Sequence, residues 1–159
     1  MTPNYNATIL IVDDDQVDVR LVQRSLKKAK LINPVAVARD GHEALAMLRG
    51  EEGYAPVPAP HLILLDLNMP RLNGFEFLEA LRTDATLHAS IVFVLTTSHD
   101  DRDRAAAYEQ HIAGYLLKDQ VGEDLLIVGR LLEQFFIAVQ LPPPLNLADS
   151  HDASRSEVR

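Results

Sequence analysis

Residues able to do chemistry stand at four well-separated places: the carboxylates Asp13, Asp14 and Asp15, the carboxylate Asp66, the hydroxyls of Thr96 and Thr97, and the ammonium of Lys118. Asp66 ends an apolar run, "HLILLD", and a carboxylate leaving such a run is costly to desolvate unless it has a partner or a task. Capping the next helix is not that task, because Asn68 to Gly74 intervene before the next helical pattern. If the acidic groups share one edge they repel, by roughly 4 kcal/mol for unit charges about 4 Å apart at an effective dielectric near 20. A hard divalent cation would relieve that repulsion, and Mg²⁺ favours one or two carboxylates together with a phosphate. A carboxylate nucleophile, a divalent cation, an ammonium and a hydroxyl make a site for phosphoryl transfer onto aspartate. Lys118 and the cation would neutralise charge on the transferred group, and Thr96 would bond one of its oxygens in the product.

Such a constellation needs elements that bring distant segments together. Short apolar runs alternate with segments of helical period along the chain. Strands are predicted at 8–12, 35–38, 62–65, 91–96 and 114–118, and helices at 16–29, 41–49, 74–82, 100–110 and 123–139. Strict alternation implies an α/β fold, a doubly wound, five-stranded parallel sheet with helices on both faces. Right-handed crossovers carry every strand's C-terminal end to one edge. The carboxylates, the threonines and Lys118 all fall there, where open sheets of this kind gather ligands. The segment 50–60, rich in Gly and Pro, reads as a long loop. Residues 1–139 form the expected domain. Residues 140–159 form an extension, whose three consecutive prolines stop the last helix and favour an extended or disordered chain.

Composition narrows the function classes. The chain has 159 residues and a net charge of -8, and it holds no run of Lys and Arg long enough to track a nucleic-acid backbone. It has no cysteine, so neither a disulfide framework nor thiol chemistry is available, which suits a reducing cytoplasm. The first apolar stretch is too short for a signal peptide or a membrane span.

Each motif also has a plainer reading. One of Asp13 to Asp15 caps the first helix, and Asp15 is the candidate; three in a row exceed what a cap needs, so Asp13 and Asp14 are assigned to a metal. The six histidines lack ligand spacing. "NMPRLNG" is a turn, with Gly74 expected to free the backbone before the third helix.

The segments "ILIVDDDQVD", "LILLDLNMPRLNGFEFL", "VLTTS" and "YLLK" resemble the signatures of the response-regulator receiver domain, the CheY-like (flavodoxin-like) fold of two-component signalling. The likeness covers roughly residues 7 to 139. It implies that Asp66 accepts a phosphoryl group from the phosphohistidine of a sensor histidine kinase. It also implies that Asp13, Asp14, Asp66 and the backbone carbonyl of Asn68 hold Mg²⁺, that Thr96 and Lys118 bind phosphoryl oxygens, and that Tyr115 is an aromatic switch. Thr97 leaves an alternative for the threonine, and counting back to Asp66 favours Thr96. Where the family has a proline after the lysine this chain has Asp119, which implies a trans bond and a reshaped loop. In these features the chain is similar to small stand-alone regulators paired with phytochrome-type kinases, the bacteriophytochromes among them.

With no output domain after the receiver, the expected output is a protein contact. The fifth helix carries a sheet-facing stripe, Leu125, Val128, Leu132, Phe135 and Val139, widened by Leu126, Ile127, Leu131 and Phe136. The excess predicts a homodimer through the helix 4–strand 5–helix 5 face, with Leu141, Leu145 and Leu147 of the tail as an arm. The alternative is a haloacid-dehalogenase-like phosphatase with Asp13 as nucleophile and Asp15 as acid/base, which would need Glu123 and Asp124 as a second metal pair. A further alternative is a receiver-like scaffold that is never phosphorylated.

Overall fold

A computed structural model describes residues 6–143. The elements run β1 (Thr8–Val12), α1 (Gln16–Lys28), β2 (Val35–Ala38), α2 (Gly41–Arg49), β3 (His61–Leu65), α3 (Gly74–Thr83), β4 (Ile91–Thr96), α4 (Asp101–Glu109), β5 (Gly114–Leu117), a 3-10 turn (Glu123–Leu125) and α5 (Leu126–Ala138). The sheet order is β2-β1-β3-β4-β5, and every pair is parallel. Among the described residues no helix is long and apolar enough to cross a membrane.

The period of the strands builds two cores. Leu10, Val12, Ile63, Leu65, Val92 and Val94 face α2, α3 and α4. The alternate residues Ile9, Ile11, Leu62, Leu64, Phe93 and Leu95 face α1 and α5. The central strands β1 and β3 are buried along their whole length, as strands covered on both faces must be. Helix starts are set by short acceptors: Asp15 takes the N–H groups of Val17 and Asp18, Asp40 that of Glu43, and Asn73 forms a reciprocal capping box with Glu76.

Two expectations for the last helix are corrected. It does not run unbroken from 123, because Asp124 and Leu125 take left-handed φ values of 53° and 59°. Strain at two non-glycine residues, of order 1 kcal/mol each or more, is offset by the burial of Val121 and Leu125 beneath the turn. The buried stripe then runs Val128, Leu132, Phe136, so Phe136 belongs to the core. Phe135, expected in the stripe, sits beside it with its ring edge-on to Phe93 at 5.2 Å, and Val139 is exposed.

Helices α1 and α5 meet through a contact that hydropathy does not show. Ser25 Oγ accepts the N–H of Gly129 at 2.8 Å and donates to the carbonyl of Leu126 at 3.1 Å. One helix thereby supplies the side-chain acceptor that the start of the other lacks. A Cβ on Gly129 would stand 2.3 Å from the Ser25 carbonyl oxygen. Gly129→Ala is therefore expected to lower stability by about 2–3 kcal/mol through forced separation of the two helices. Ser25→Ala is expected to lower it by about 1 kcal/mol. Urea unfolding of both variants measures the two effects.

Beyond α5, Leu141 packs on the α1–α5 core, and Pro142 and Pro143 close a cavity of about 40 Å³ with His61, Ser90 and Ile91. The remainder of the expected arm, Leu145 and Leu147 included, lies outside the described residues, as does the rest of the chain from 144.

Candidate functional site

The sheet ladder continues one residue beyond the strand ends and fixes the backbone of the rim. Asp13 N–H donates to Ala38 O at 3.0 Å, Asp66 N–H to Val12 O at 2.9 Å and Lys118 N–H to Thr96 O at 2.9 Å. Side chains anchored so close to buried strands have little freedom to drift. Gly74 maintains the exit after β3 for a reason other than the expected one. Its φ is not left-handed; instead a Cβ there would lie 2.7 Å from the Asp66 carbonyl oxygen and 2.6 Å from Leu67 Cα. Gly74 is needed for space, so that α3 can start directly against the strand that carries Asp66.

Lys118 Nζ lies 3.0 Å from Asp13 Oδ2, 3.2 Å from Asp66 Oδ2 and 2.7 Å from Asp18 Oδ2. The side chains of Asp13, Asp66 and Lys118 are 6%, 8% and 9% exposed, so these are ion pairs largely withdrawn from water. Pairs this well shielded are costly to break from one side, because the remaining charge is stranded. Asp13 Oδ1 also accepts Asp15 N–H at 2.9 Å, and Asp66 Oδ1 accepts Asn68 N–H at 3.3 Å. Burial, helped by the charge of Asp66 and opposed by the Asp15 N–H and Lys118, leaves the Asp13 carboxyl raised to about 6. For Lys118 burial disfavours the charge, but the bond to Asp18 and the charges of Asp13 and Asp66 outweigh it, so the ammonium holds its proton above the usual lysine range.

One ammonium does not balance these carboxylates. Asp13, Asp14 and Asp66 each place an oxygen within 4.8 Å of the others. Three hard oxygen donors of net negative charge suit a small divalent cation such as Mg²⁺ or Mn²⁺ and offer nothing to a soft metal. Asp14 and Asn68 line an open cavity of about 430 Å³, which Asp103 of α4 also lines. The residues present thus fit a divalent cation, with room for further ligands on the solvent side.

Thr96 is fully buried at the end of β4, and its Oγ1 accepts the N–H of Ser98 at 3.3 Å. Thr97 is exposed. Among the described residues Thr96 makes no hydrogen bond to Asp66, so the structure places it on the rim but not in the ion-pair cluster. The Tyr115 hydroxyl donates to the Ser98 carbonyl at 3.0 Å and ties the ring to the loop after β4. That loop has a second tie, His99 Nε2 to Asp119 Oδ2 at 2.8 Å. The peptide before Asp119 is trans, as expected from the missing proline; the cis bond among the described residues is Ala59–Pro60.

The geometry gives the phosphatase alternative no support: the Asp15 carboxylate is exposed and occupied in capping α1, and Glu123 and Asp124 are exposed in the 3-10 turn before α5. The sequence reading overlooked Asp18. Its spacing held the signal: it lies one helical turn beyond Asp14, on the side of α1 that overlooks the rim.

Comparison with known proteins agrees with the geometry. The family model described as the response regulator receiver domain matches residues 9–128. Response regulator Rcp1 of Synechocystis sp. is 40% identical over 140 residues, which is 87% of this chain and 95% of Rcp1. The crystal structure of the Mn²⁺-bound form of Rcp1 superposes with a TM-score of 0.78 at 38% identity, covering 86% of this chain and 99% of that one. That of the phosphorylated cyanobacterial phytochrome response regulator RcpA gives 0.77 at 36%, covering 87% and 99%. With its parallel sheet, its strand-end carboxylates and these relatives in agreement, the chain belongs to the response regulator receiver domain family.

Proposed function

We propose that this two-component signalling protein takes a phosphoryl group from a sensor histidine kinase onto Asp66. The observation that carries this reading is the Lys118 ammonium bridging Asp13 and Asp66 at the C-terminal rim of the sheet. An Asp66 carboxylate oxygen forms the new O–P bond, the P–N bond to the kinase imidazole breaks, and the imidazole leaves with the electron pair. Asp13, Asp14, Asp66 and the Asn68 carbonyl would hold Mg²⁺. When bound, the ion supplies charge neutralisation for the phosphoryl oxygens and the carboxylates alike. Lys118 orients those oxygens from the other side, and the Thr96 hydroxyl bonds one of them once transfer is complete. No separate substrate is turned over.

The added group brings about -1.5 to -2 charge. Thr96 and the loop after β4 are drawn toward it, and the Tyr115 ring moves with that loop because its hydroxyl is bonded to Ser98. Moving a two-state equilibrium from 1:99 to 99:1 needs about 5.5 kcal/mol, more than one charge-assisted hydrogen bond at roughly 1.5–3 kcal/mol supplies. Lys118, the cation and Thr96 therefore act together. The test is incubation with acetyl phosphate, with and without Mg²⁺, followed by intact-mass measurement and mapping of the acid-stable, base-labile adduct. Uptake that needs Mg²⁺ and maps to residue 66 is expected; uptake elsewhere, or none, overturns the reading.

The donor we infer is a phytochrome-type kinase, on the strength of the likeness to Rcp1 and RcpA. Transfer profiling against such kinases tests it. Residues 1–139 act as the receiver, in the cytoplasm, and signal through protein contacts. Ile127 is exposed, and Leu131 and Phe135 are half-buried beside it on α5. This strip supports a homodimer through α4, β5 and α5, with the chain beyond 139 as an arm. Sedimentation of the full chain is expected to show a dimer, weakened when the chain stops at 139. A full-length monomer removes the dimer, and an unchanged dimer removes the arm.

A further inference from the structure

Asp18 is the third helical residue of α1, a place where an acidic side chain ordinarily serves the helix dipole or a capping box. Here it does something else. Its Oδ2 accepts from Lys118 Nζ at 2.7 Å, against 3.0 Å for Asp13 and 3.2 Å for Asp66. An ammonium has three N–H donors, and in this site all of them go to carboxylates. Asp18 stands outside the cluster of Asp13, Asp14 and Asp66 whose oxygens lie within 4.8 Å of one another. It therefore contributes no ligand to that cluster and acts on it through the lysine.

Lys118 has conflicting demands placed on it. Left with Asp13 and Asp66 alone, its ammonium would settle between them, where it occupies their oxygens and repels a second cation. A tether from a different element draws it aside. The three distances show that tilt, with the shortest contact to α1 and the longest to Asp66. We propose that Asp18 is a positioning residue of the phosphorylation site: it holds the Lys118 ammonium toward α1, off Asp66, and so keeps the carboxylate cluster open to a divalent cation. The proposal rests on the reading of Asp66 as phosphoacceptor for its biological meaning, but the coupling it asserts is a property of the free protein.

The test is a double-mutant cycle read by Mn²⁺ titration, with free Mn²⁺ followed by electron paramagnetic resonance. Asp18→Ala is expected to weaken Mn²⁺ binding about fivefold in the chain that keeps Lys118, and less than twofold in the Lys118→Ala background. Asp18→Glu, which keeps the charge and can still reach the lysine, is expected to recover most of the affinity. Equal losses in both backgrounds would mean that Asp18 acts only through its overall charge, and no loss in either would mean that it does not steer the lysine; each overturns the proposal. Acetyl phosphate labelling of the unsubstituted chain separates the two readings. Absence of label at residue 66 sinks the phosphoacceptor assignment and leaves the Mn²⁺ coupling standing, whereas additive Mn²⁺ affinities beside normal labelling sink the coupling alone.

Discussion

Asp66→Asn is expected to abolish phosphoryl uptake: with acetyl phosphate and Mg²⁺ the intact mass should stay that of the unmodified chain. The amide nitrogen's lone pair is delocalised, and the amide has lost the negative charge that makes a carboxylate a useful nucleophile. The substitution is close to isosteric, and its oxygen can still accept the Asn68 N–H, so the rim keeps its shape. Removing one of two neighbouring buried carboxylates also relieves the repulsion that helps raise Asp13, and Lys118 is not stranded because it keeps Asp13 and Asp18 as partners. The unfolding midpoint of Asp66→Asn is therefore expected at or above that of the parent, which separates lost chemistry from lost fold. Asp13→Asn behaves differently. It would remove a carboxylate from the proposed cation cluster and a partner of Lys118 but leave the proposed acceptor, so uptake is expected to fall by at least about tenfold without vanishing. A chain that labels normally as Asp66→Asn and not at all as Asp13→Asn would point to Asp13 as the nucleophile.

Arg82→Ala is expected to be among the most damaging single substitutions away from the rim, lowering stability by about 2–4 kcal/mol. Its guanidinium has no carboxylate partner among the described residues. It donates instead to four backbone carbonyls: Nε to Gln110 at 2.7 Å, Nη1 to His88 and Ser90 at 2.8 Å each, and Nη2 to His111 at 3.0 Å. These bonds join the end of α3 to the turn before β4 and the turn before β5. His111 has a left-handed φ of 59°, and its carbonyl is turned toward the arginine. Burial lowers the Arg82 pKa from its usual value, yet the group stays charged at any working pH. Without it, four carbonyls lose a charged donor at once and the half-buried ones cannot all be reached by water. Arg82→Lys is expected to recover little, since one ammonium cannot span four acceptors in two turns. Against a total stability of order 5–15 kcal/mol, the loss should be plain in urea unfolding. A change under 1 kcal/mol for Arg82→Ala would mean that the turns hold themselves.

How much of this was legible in the residues depends on the range of the interaction. Period and punctuation are local. The alternation of "TILIV", "LILL" and "IVFVLT" with helical segments set the doubly wound sheet, because each strand must bury both faces and each helix one. The same logic carried Asp13, Asp66 and Lys118 to one rim, since parallel strands joined by right-handed crossovers end on the same side. Asp15 as a cap was legible for the same reason: capping is settled within three residues.

What the sequence alone determined, then, is the fold, the rim and the residues on it. Only the tertiary structure decided how the charges there are shared. Asp18 looks like an ordinary acid in a first helical turn until β5 sets Lys118 beside it, 100 positions away. Arg82 looks like a surface arginine until two turns aim their carbonyls at it, and Gly129 looks like a flaw in a helix until Ser25 of α1 presses against it. The phase of α5 slipped as well, because two left-handed residues before it shifted its start. In each case the deciding partner is distant in the chain, and no periodicity encodes the distance between side chains on different elements.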